Sequence, residues 1–290
     1  NMCKNKTKKI KELIPEYFSL MNQKKLSRIL TGFKNLDKIT SGLQNSELII
    51  VGACSGMGKT ALILSAIKHI AIDSNITTAI FLSEESSTTF IDKLIANISE
   101  IDIQSISKGK LYKQEQERIE KIIKDLEKSP IYIDDTSQLS IQDLCEKAHK
   151  LVLENNVKII FIDHVQILSM NDKFTKEHHN DINFISRKLK ALAEELNIPI
   201  VVTSQLPSDL KDRPRLTDLQ YYGTLCDDAN VVCFIYKPEY YKTITDCEGN
   251  IINIVEVIVA KSSNNTTGNV YLKFERAYAK FENLEKETLI

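Results

Sequence analysis

Residues 49–60 read Ile-Ile-Val-Gly-Ala-Cys-Ser-Gly-Met-Gly-Lys-Thr, an apolar run that breaks into small residues and ends on Gly-Lys-Thr before Ala61-Leu62-Ile63-Leu64. The segment reads as a buried strand, a loop and a helix start. Small residues let the main chain approach an anion closely, and a helix N-terminus turns several N–H groups toward it, which is what a triphosphate requires. Gly56 and Gly58 give the close approach, Lys59 the reach to the outer phosphates and Thr60 a hydroxyl for Mg²⁺. The candidate nucleotide-binding set is therefore Ser55, Gly56, Met57, Gly58, Lys59, Thr60 and Ala61, with ATP and Mg²⁺ as the expected ligands. The pattern G-x-x-x-x-G-K-[ST] has its first Gly where this chain has Ala53, with Gly52 one place early. A Gly-rich turn before an ordinary helix is the alternative.

Composition narrows the classes. Net charge is −1 with 27% charged residues, so any nucleic-acid contact has to be local. At 290 residues the chain can bury a sizeable core, as one large α/β domain with an appendage. Cys3, Cys54, Cys145, Cys226, Cys233 and Cys247 form no C-x-x-C pair and no metal-ligand spacing with the histidines, which fits reduced thiols in a cytoplasmic protein. The pair His178-His179 lacks a third ligand. No apolar run reaches the ~18 residues of a membrane span, and no apolar core follows the basic N-terminus, so neither a membrane nor a signal peptide is expected. Asn1 ahead of Met2 reads as a remnant of cloning, with Met2 the natural start.

Two regions follow from the charge and hydropathy pattern. Residues 1–28 carry eight Lys or Arg against two Glu, and within them Ile10, Leu13, Ile14, Tyr17, Phe18 and Met21 make one apolar stripe of a helix, which Pro15 either kinks or begins. So short a helix is marginal alone and has to dock on its own domain or a neighbour. From 29 to 290, apolar strands alternate with amphipathic helices, the pattern of a mostly parallel sheet covered on both faces. Strands are expected near 47–52, 78–83, 130–133, 158–162, 199–203, 230–236, 253–260 and 269–274, and helices near 59–72, 87–98, 114–127, 140–154 and 180–196. The last third, with turns such as Asp246-Cys247-Glu248-Gly249-Asn250, suggests antiparallel edge strands.

Three strands end in polar groups. Lys158–Asp163 closes on Asp163, a candidate partner of Thr60 in holding Mg²⁺ partly through water, although an Asp ending a strand is also a common turn residue. Ala79–Glu85 closes on acids. Glu84 can polarise the attacking water if its strand adjoins the P-loop strand; the alternative is an acid at a helix N-terminus. Ile198–Gln205 closes on Gln205, placed to sense the γ-phosphate. Two loops follow such strands: 207–217 holds Lys211, Arg213 and Arg215, and 169–181 holds Lys173 and Lys176. Cationic loops of this kind grip a phosphate backbone, or are simply solvated.

Together these pieces resemble the C-terminal motor domain of DnaB-type replicative helicases, within the RecA-like ATPases. Leu30–Asp37 and Ser41-Gly42-Leu43 resemble the family's entry motif, and Ser55–Thr60 its P-loop, which also has Ala at the first position. Leu82-Ser83-Glu84 resembles the strand bearing the catalytic glutamate, and Asp163-His164-Val165-Gln166 the Walker B aspartate with its following glutamine. Ser186–Ala193 is similar to the next helix, Ser204-Gln205-Leu206 to the phosphate-sensing strand, and Lys261 with Gly268 to the late Lys-x-Arg-x-x-x-x-Gly hairpin.

The resemblance implies an α/β RecA-like P-loop fold, a head-to-tail homo-oligomeric ring expected to be a hexamer, single-stranded DNA as ligand, and primase or a helicase loader as possible partners. Lys11 to Met21 is similar to the family's linker helix, which docks on the next subunit, while the family's N-terminal helical domain has no counterpart. Asp218-Leu219-Gln220-Tyr221-Tyr222-Gly223 stands where the family has its DNA-channel segment Asp-Leu-Arg-Glu-Ser-Gly, making Gln220, Tyr221 and Gly223 candidate DNA contacts. Ser263 stands where the family has the arginine that reaches a neighbour's ATP, so hydrolysis is expected to be slow unless Lys261 or another cation substitutes. The expected activity is that of an ATP-driven DNA helicase. An ATP-binding regulator that scarcely hydrolyses, or a filament-forming recombination ATPase, are the alternatives.

Overall fold

The computed structural model describes residues 9–12, 14–15, 28–137, 139–168, 178–207, 210, 212–220, 224–237 and 253–284. Its helices in chain order are α1 (Lys34–Thr40), α2 (Lys59–Ile67), α3 (Ser87–Ser99), α4 (Ile103–Ser107), α5 (Lys113–Leu126), α6 (Ile141–Asn155), α7 (His178–Leu196), α8 (Leu216–Gln220) and α9 (Leu225–Asp228). Its strands are β1 (Leu48–Ala53), β2 (Thr78–Leu82), β3 (Ile131–Asp134), β4 (Ile159–Asp163), β5 (Ile200–Gln205), β6 (Val231–Tyr236), β7 (Ile254–Lys261), β8 (Gly268–Glu275) and β9 (Lys280–Asn283).

All nine strands join one sheet in the order β3-β2-β4-β5-β1-β6-β7-β8-β9. The strands from β3 to β6 pair in parallel, and β7, β8 and β9 add antiparallel at one edge. The side-chain period of two splits each central strand between two cores. On β1, Ile49, Val51 and Ala53 face α2, where Leu62, Ile63, Ala66 and Ile67 meet them. Leu48 and Ile50 face the other way, toward Ile185, Leu189 and Leu192 of α7. Phe161 of β4 goes with the first core, Ile160 and Ile162 with the second. Burial on both faces explains why these strands read as unbroken apolar runs.

The entry segment is fastened by a half-buried carboxylate. Asp37 accepts hydrogen bonds from the Thr31 N–H (2.9 Å), the Thr31 hydroxyl (2.9 Å) and the Gly32 N–H (3.2 Å). Gly32 has φ +88°, and a Cβ there would lie 2.6 Å from the His69 ring. The carboxamide of Asn283 on β9 accepts from the Lys34 N–H and donates to the Gly32 carbonyl, so this segment covers the sheet edge.

The expected strands and helices stand within a few residues of their predicted places. The helix expected over 59–72 is α-helical to Ile67 and continues as a π-helical turn, Lys68–Asp73. Strand β9 and the short helices α1, α4, α8 and α9 have no counterpart among the expected elements, since four to seven residues carry too little periodicity to register. The expected N-terminal helix falls mostly outside the described residues; 10–12 and 14–15 are helical, with Ile10 and Ile14 exposed. The turn at 246–250 lies outside them too. Among the described residues no helix is long and apolar enough to cross a membrane.

Candidate active site

Strand β1 stops at Ala53, the chain loops through 54–58, and α2 begins at Lys59. Gly58 is the N-cap, with φ 95° and ψ 25°, and no side chain accepts from the first turn of α2, which also contains no acid. A nine-residue helix therefore presents its N–H groups with neither a side-chain cap nor an acidic residue in its own first turn. Gly56 has φ +75°, and a Cβ built there meets nothing within 4 Å, so open space lies beside it. Gly58 rests on aromatic rings: its Cβ would lie 3.0 Å from Phe281 Cε2 and 3.2 Å from Phe274 Cζ. Ser55 and Gly56 are exposed, while Ala61 turns its methyl into the core and can offer only its backbone.

Lys59 is buried, and its Nζ donates to the carbonyls of Ala53 (3.2 Å) and Cys54 (3.4 Å). Burial lowers its pKa, while the charges of Asp163 and Glu84 act to raise it. The next residue reaches across the sheet: Thr60 Oγ1 donates to Asp163 Oδ2 at 2.8 Å. Thr203, fully buried on β5, donates to the other oxygen, Oδ1, at 2.6 Å. Asp163 is thus held rigidly between a P-loop hydroxyl and a strand hydroxyl. One hydroxyl and one carboxylate on rigid elements are hard oxygen donors of the kind Mg²⁺ takes beside phosphate and water.

Strand order corrects one expectation. A catalytic place for Glu84 was tied to β2 adjoining β1, but β4 and β5 stand between them. The reason is topological: parallel strands need crossovers, and nothing local to residues 78–84 records which strands insert. Glu84 nonetheless lies at the same end of the sheet, with its Oε2 3.1 Å from His164 Nε2. Ser86 caps the following helix by accepting from the Thr89 N–H, and Glu84 lies two residues before that cap, so the reading of an acid near a helix N-terminus also stands. Glu85 pairs with Lys93, and burial raises its pKa.

Gln205 is the last residue of β5 and pairs in register with Ala53, at the mouth of the P-loop. Its backbone is clasped by Gln166, whose Nε2 donates to the Gln205 carbonyl (3.0 Å) and whose Oε1 accepts from the Gln205 N–H (3.3 Å). Ser83 Oγ donates to the Asp163 carbonyl. The ends of β2, β4, β5 and β1 are thereby stitched together by side chains.

Other candidates lie elsewhere. Lys261 pairs with Val232 and Ile50 pairs with Val232 on the other side, which puts Lys261 well below the P-loop. Its Nζ donates to the carbonyls of Cys226 (2.9 Å) and Asp227 (3.0 Å), and Ser263 Oγ donates to Glu47, just before β1. Within one chain neither reaches Lys59. Arg213 is engaged by the buried Glu256 at 2.6 Å, a partner the sequence did not announce. Arg215 is exposed, and its N–H donates to Asp218. Lys173, Lys176, Lys211, Tyr221, Gly223 and the Gln220 side chain fall outside the described residues.

Residues 28–283 match the DnaB-like helicase C terminal domain. The chain belongs to that family. Among curated relatives it is 35% identical over 265 residues to the replicative DNA helicase DnaB of Geobacillus stearothermophilus and 32% identical over 265 residues to the replicative DNA helicase DnaC of Bacillus subtilis (strain 168). Both alignments cover 90% of this chain and 58% of the relative, so the chain spans a little over half the length of the proteins it matches. A solved structure described as an ATPase domain superposes with TM-score 0.84 at 28% identity, covering 96% of this chain and 100% of that one. A DnaB-like replicative helicase, solved in a study of its interactions with primase, superposes with TM-score 0.81 at 28% identity, over 96% of this chain and 68% of its own. The fold is thus the RecA-like ATPase fold of DnaB-like domains.

For a DnaB-like domain, sequence reasoning passes over His164 and Thr203 as site residues. Thr203 carried a signal: a hydroxyl directly continuing the apolar run Ile200–Val202 is buried and requires a partner. His164 carried none, since its contact depends on where β2 ends.

Proposed function

We propose that this chain is the ATP-hydrolysing motor of a DnaB-type replicative DNA helicase. The observation that carries the reading is the Thr60–Asp163 hydrogen bond of 2.8 Å at a helix N-terminus that has no side-chain cap. The backbone of Ser55 to Thr60 cradles the phosphates, and Lys59 exchanges the carbonyls of Ala53 and Cys54 for the outer phosphate oxygens. Thr60 and Asp163 are the residues that would hold Mg²⁺, whose charge, when bound, offsets that of the phosphates.

Glu84 orients a water for in-line attack and takes its proton. An O–P bond forms to the γ-phosphorus, and the bond to the β–γ bridging oxygen breaks, its electron pair leaving with ADP. Gln205 senses the γ-phosphate, and Gln166 couples its backbone to the end of β4. The loop after β5 transmits that state to single-stranded DNA through Arg215 and its neighbours.

In a head-to-tail ring, the end of β7 that carries Lys261 faces a neighbour's nucleotide, and residues 1–28 dock on the adjacent subunit. Primase or a loader is a further partner in this reading. One observation favours a weaker hydrolase: the Ser263 hydroxyl is taken by Glu47, and the Lys261 ammonium by two carbonyls.

The test is ATP turnover with and without single-stranded DNA, together with unwinding of a forked substrate, for the chain and its Lys59→Ala variant. DNA-stimulated turnover abolished by the substitution supports the motor. Nucleotide binding with no stimulated turnover supports the regulator, and unchanged ATP affinity in Lys59→Ala removes both.

A further inference from the structure

We infer that His164 is a positioning residue for Glu84, holding one carboxylate oxygen so that the other is aimed at the attacking water; this rests on the hydrolytic reading above. The Glu84 side chain is 52% exposed, and a mobile exposed glutamate orients water poorly. His164 is its opposite. Its side chain is 6% exposed, and Nε2 lies 3.1 Å from Glu84 Oε2. A carboxylate only accepts hydrogen bonds, and a protonated Nε2 at this distance can donate to it once the two groups align. The second oxygen, Oε1, remains for water.

The backbone shows that the imidazole is held in place by the fold. His164 has φ 74° and ψ 97°, a conformation that non-glycine residues rarely take. Contacts from two neighbouring strands enforce it. The His164 N–H donates to Thr203 Oγ1 at 2.7 Å on β5, Ser83 Oγ at the end of β2 donates to the Asp163 carbonyl, and it lies 3.5 Å from the His164 carbonyl. Glycine or asparagine would satisfy that backbone without a ring. The imidazole adds the one contact that reaches Glu84, and it ties the carboxylate to the peptide beside Asp163.

Two variants and one spectrum test the assignment. His164→Asn tolerates the positive φ but is too short to reach Glu84, whereas His164→Gln can return an N–H near the same place. The expected result for His164→Asn is ATP affinity within about threefold of wild type and kcat lower by roughly 10–100-fold, with most of it recovered in His164→Gln. In a Glu84→Gln background His164→Asn should lower turnover no further. Equal loss of affinity and kcat without recovery in His164→Gln would reduce His164 to a structural residue. Unchanged kcat in His164→Asn, with turnover abolished in Glu84→Gln, overturns positioning and leaves the hydrolytic reading standing. Full turnover in Glu84→Gln defeats the hydrolytic reading itself. Should neither His164 variant fold, ring ¹⁵N signals of histidine-labelled wild type decide: a His164 resonance that shifts in Glu84→Gln supports the contact, and one that does not overturns it.

Discussion

The two loop glycines of the P-loop make a sharp comparison, because both have positive φ and only one is packed. Replacing Gly56 by alanine places a methyl where nothing lies within 4 Å. Its stability cost is the left-handed conformation alone, about 1–2 kcal/mol. Replacing Gly58 by alanine incurs that cost at φ +95° and also drives a methyl to 3.0 Å from Phe281 and 3.2 Å from Phe274. Those rings are stacked at 4.4 Å and nearly fully buried, so they have little room to yield. Overpacking of this kind adds about 1–3 kcal/mol, for a total of about 2–5 kcal/mol. Urea unfolding followed by circular dichroism measures both. Nucleotide affinity should run the other way: Gly56→Ala puts a methyl in the loop proposed to cradle the phosphates and should weaken ATP binding at least tenfold, about 1.4 kcal/mol, in a protein that is still well folded. Equal stability losses for the two variants, or undiminished ATP affinity in Gly56→Ala, would refute the reasoning.

Lys59→Met should abolish nucleotide binding and remove a pH dependence. Burial holds the folded lysine below its ordinary 10.5, so the unfolded chain binds more protons just under that pH, and wild-type stability rises with pH there. The variant should be the more stable at about pH 8, with the gap closing toward 10.5, as read from urea midpoints. Glu47 is raised above its ordinary 4.5 by burial, so the folded state holds the extra proton and stability falls as pH rises above 4.5. Glu47→Gln should flatten that slope in a pH series of unfolding midpoints. Arg213→Ala leaves the carboxylate of Glu256 buried without its partner and should cost about 1–3 kcal/mol in urea unfolding. Arg215→Ala should leave stability within about 0.5 kcal/mol while weakening single-stranded DNA binding, with the log–log salt slope shallower by roughly 0.7.

Much of this architecture was legible because the deciding signals are local. The run Ile49–Ala53 followed by Gly58-Lys59-Thr60 declares a buried strand, a loop and a helix start within twelve residues. Asp163 and Gln205 each end an apolar run, so their common edge followed from parallel pairing alone. What depends on strand order was not legible. The supposed adjacency of β2 and β1 failed because the insertion of β4 and β5 is written in no short segment. For the same reason the contacts of His164 with Glu84 and Thr203 with Asp163 had no sequence signature as pairs. Arg213 read as a free cation since Glu256, forty-three positions away, looks like any polar residue in a strand until register buries it. Strand β9 escaped notice, yet its Phe281 supports Gly58 and its Asn283 fastens the entry segment.

We propose at the centre a nucleotide held by Lys59, Thr60 and Asp163 and hydrolysed with Glu84 as base. Single-turnover ATP hydrolysis alongside equilibrium ATP binding in Glu84→Gln addresses it most directly. The expected result is affinity near that of wild type and a hydrolysis rate lower by about 10²-fold or more. Wild-type hydrolysis in that variant would contradict it.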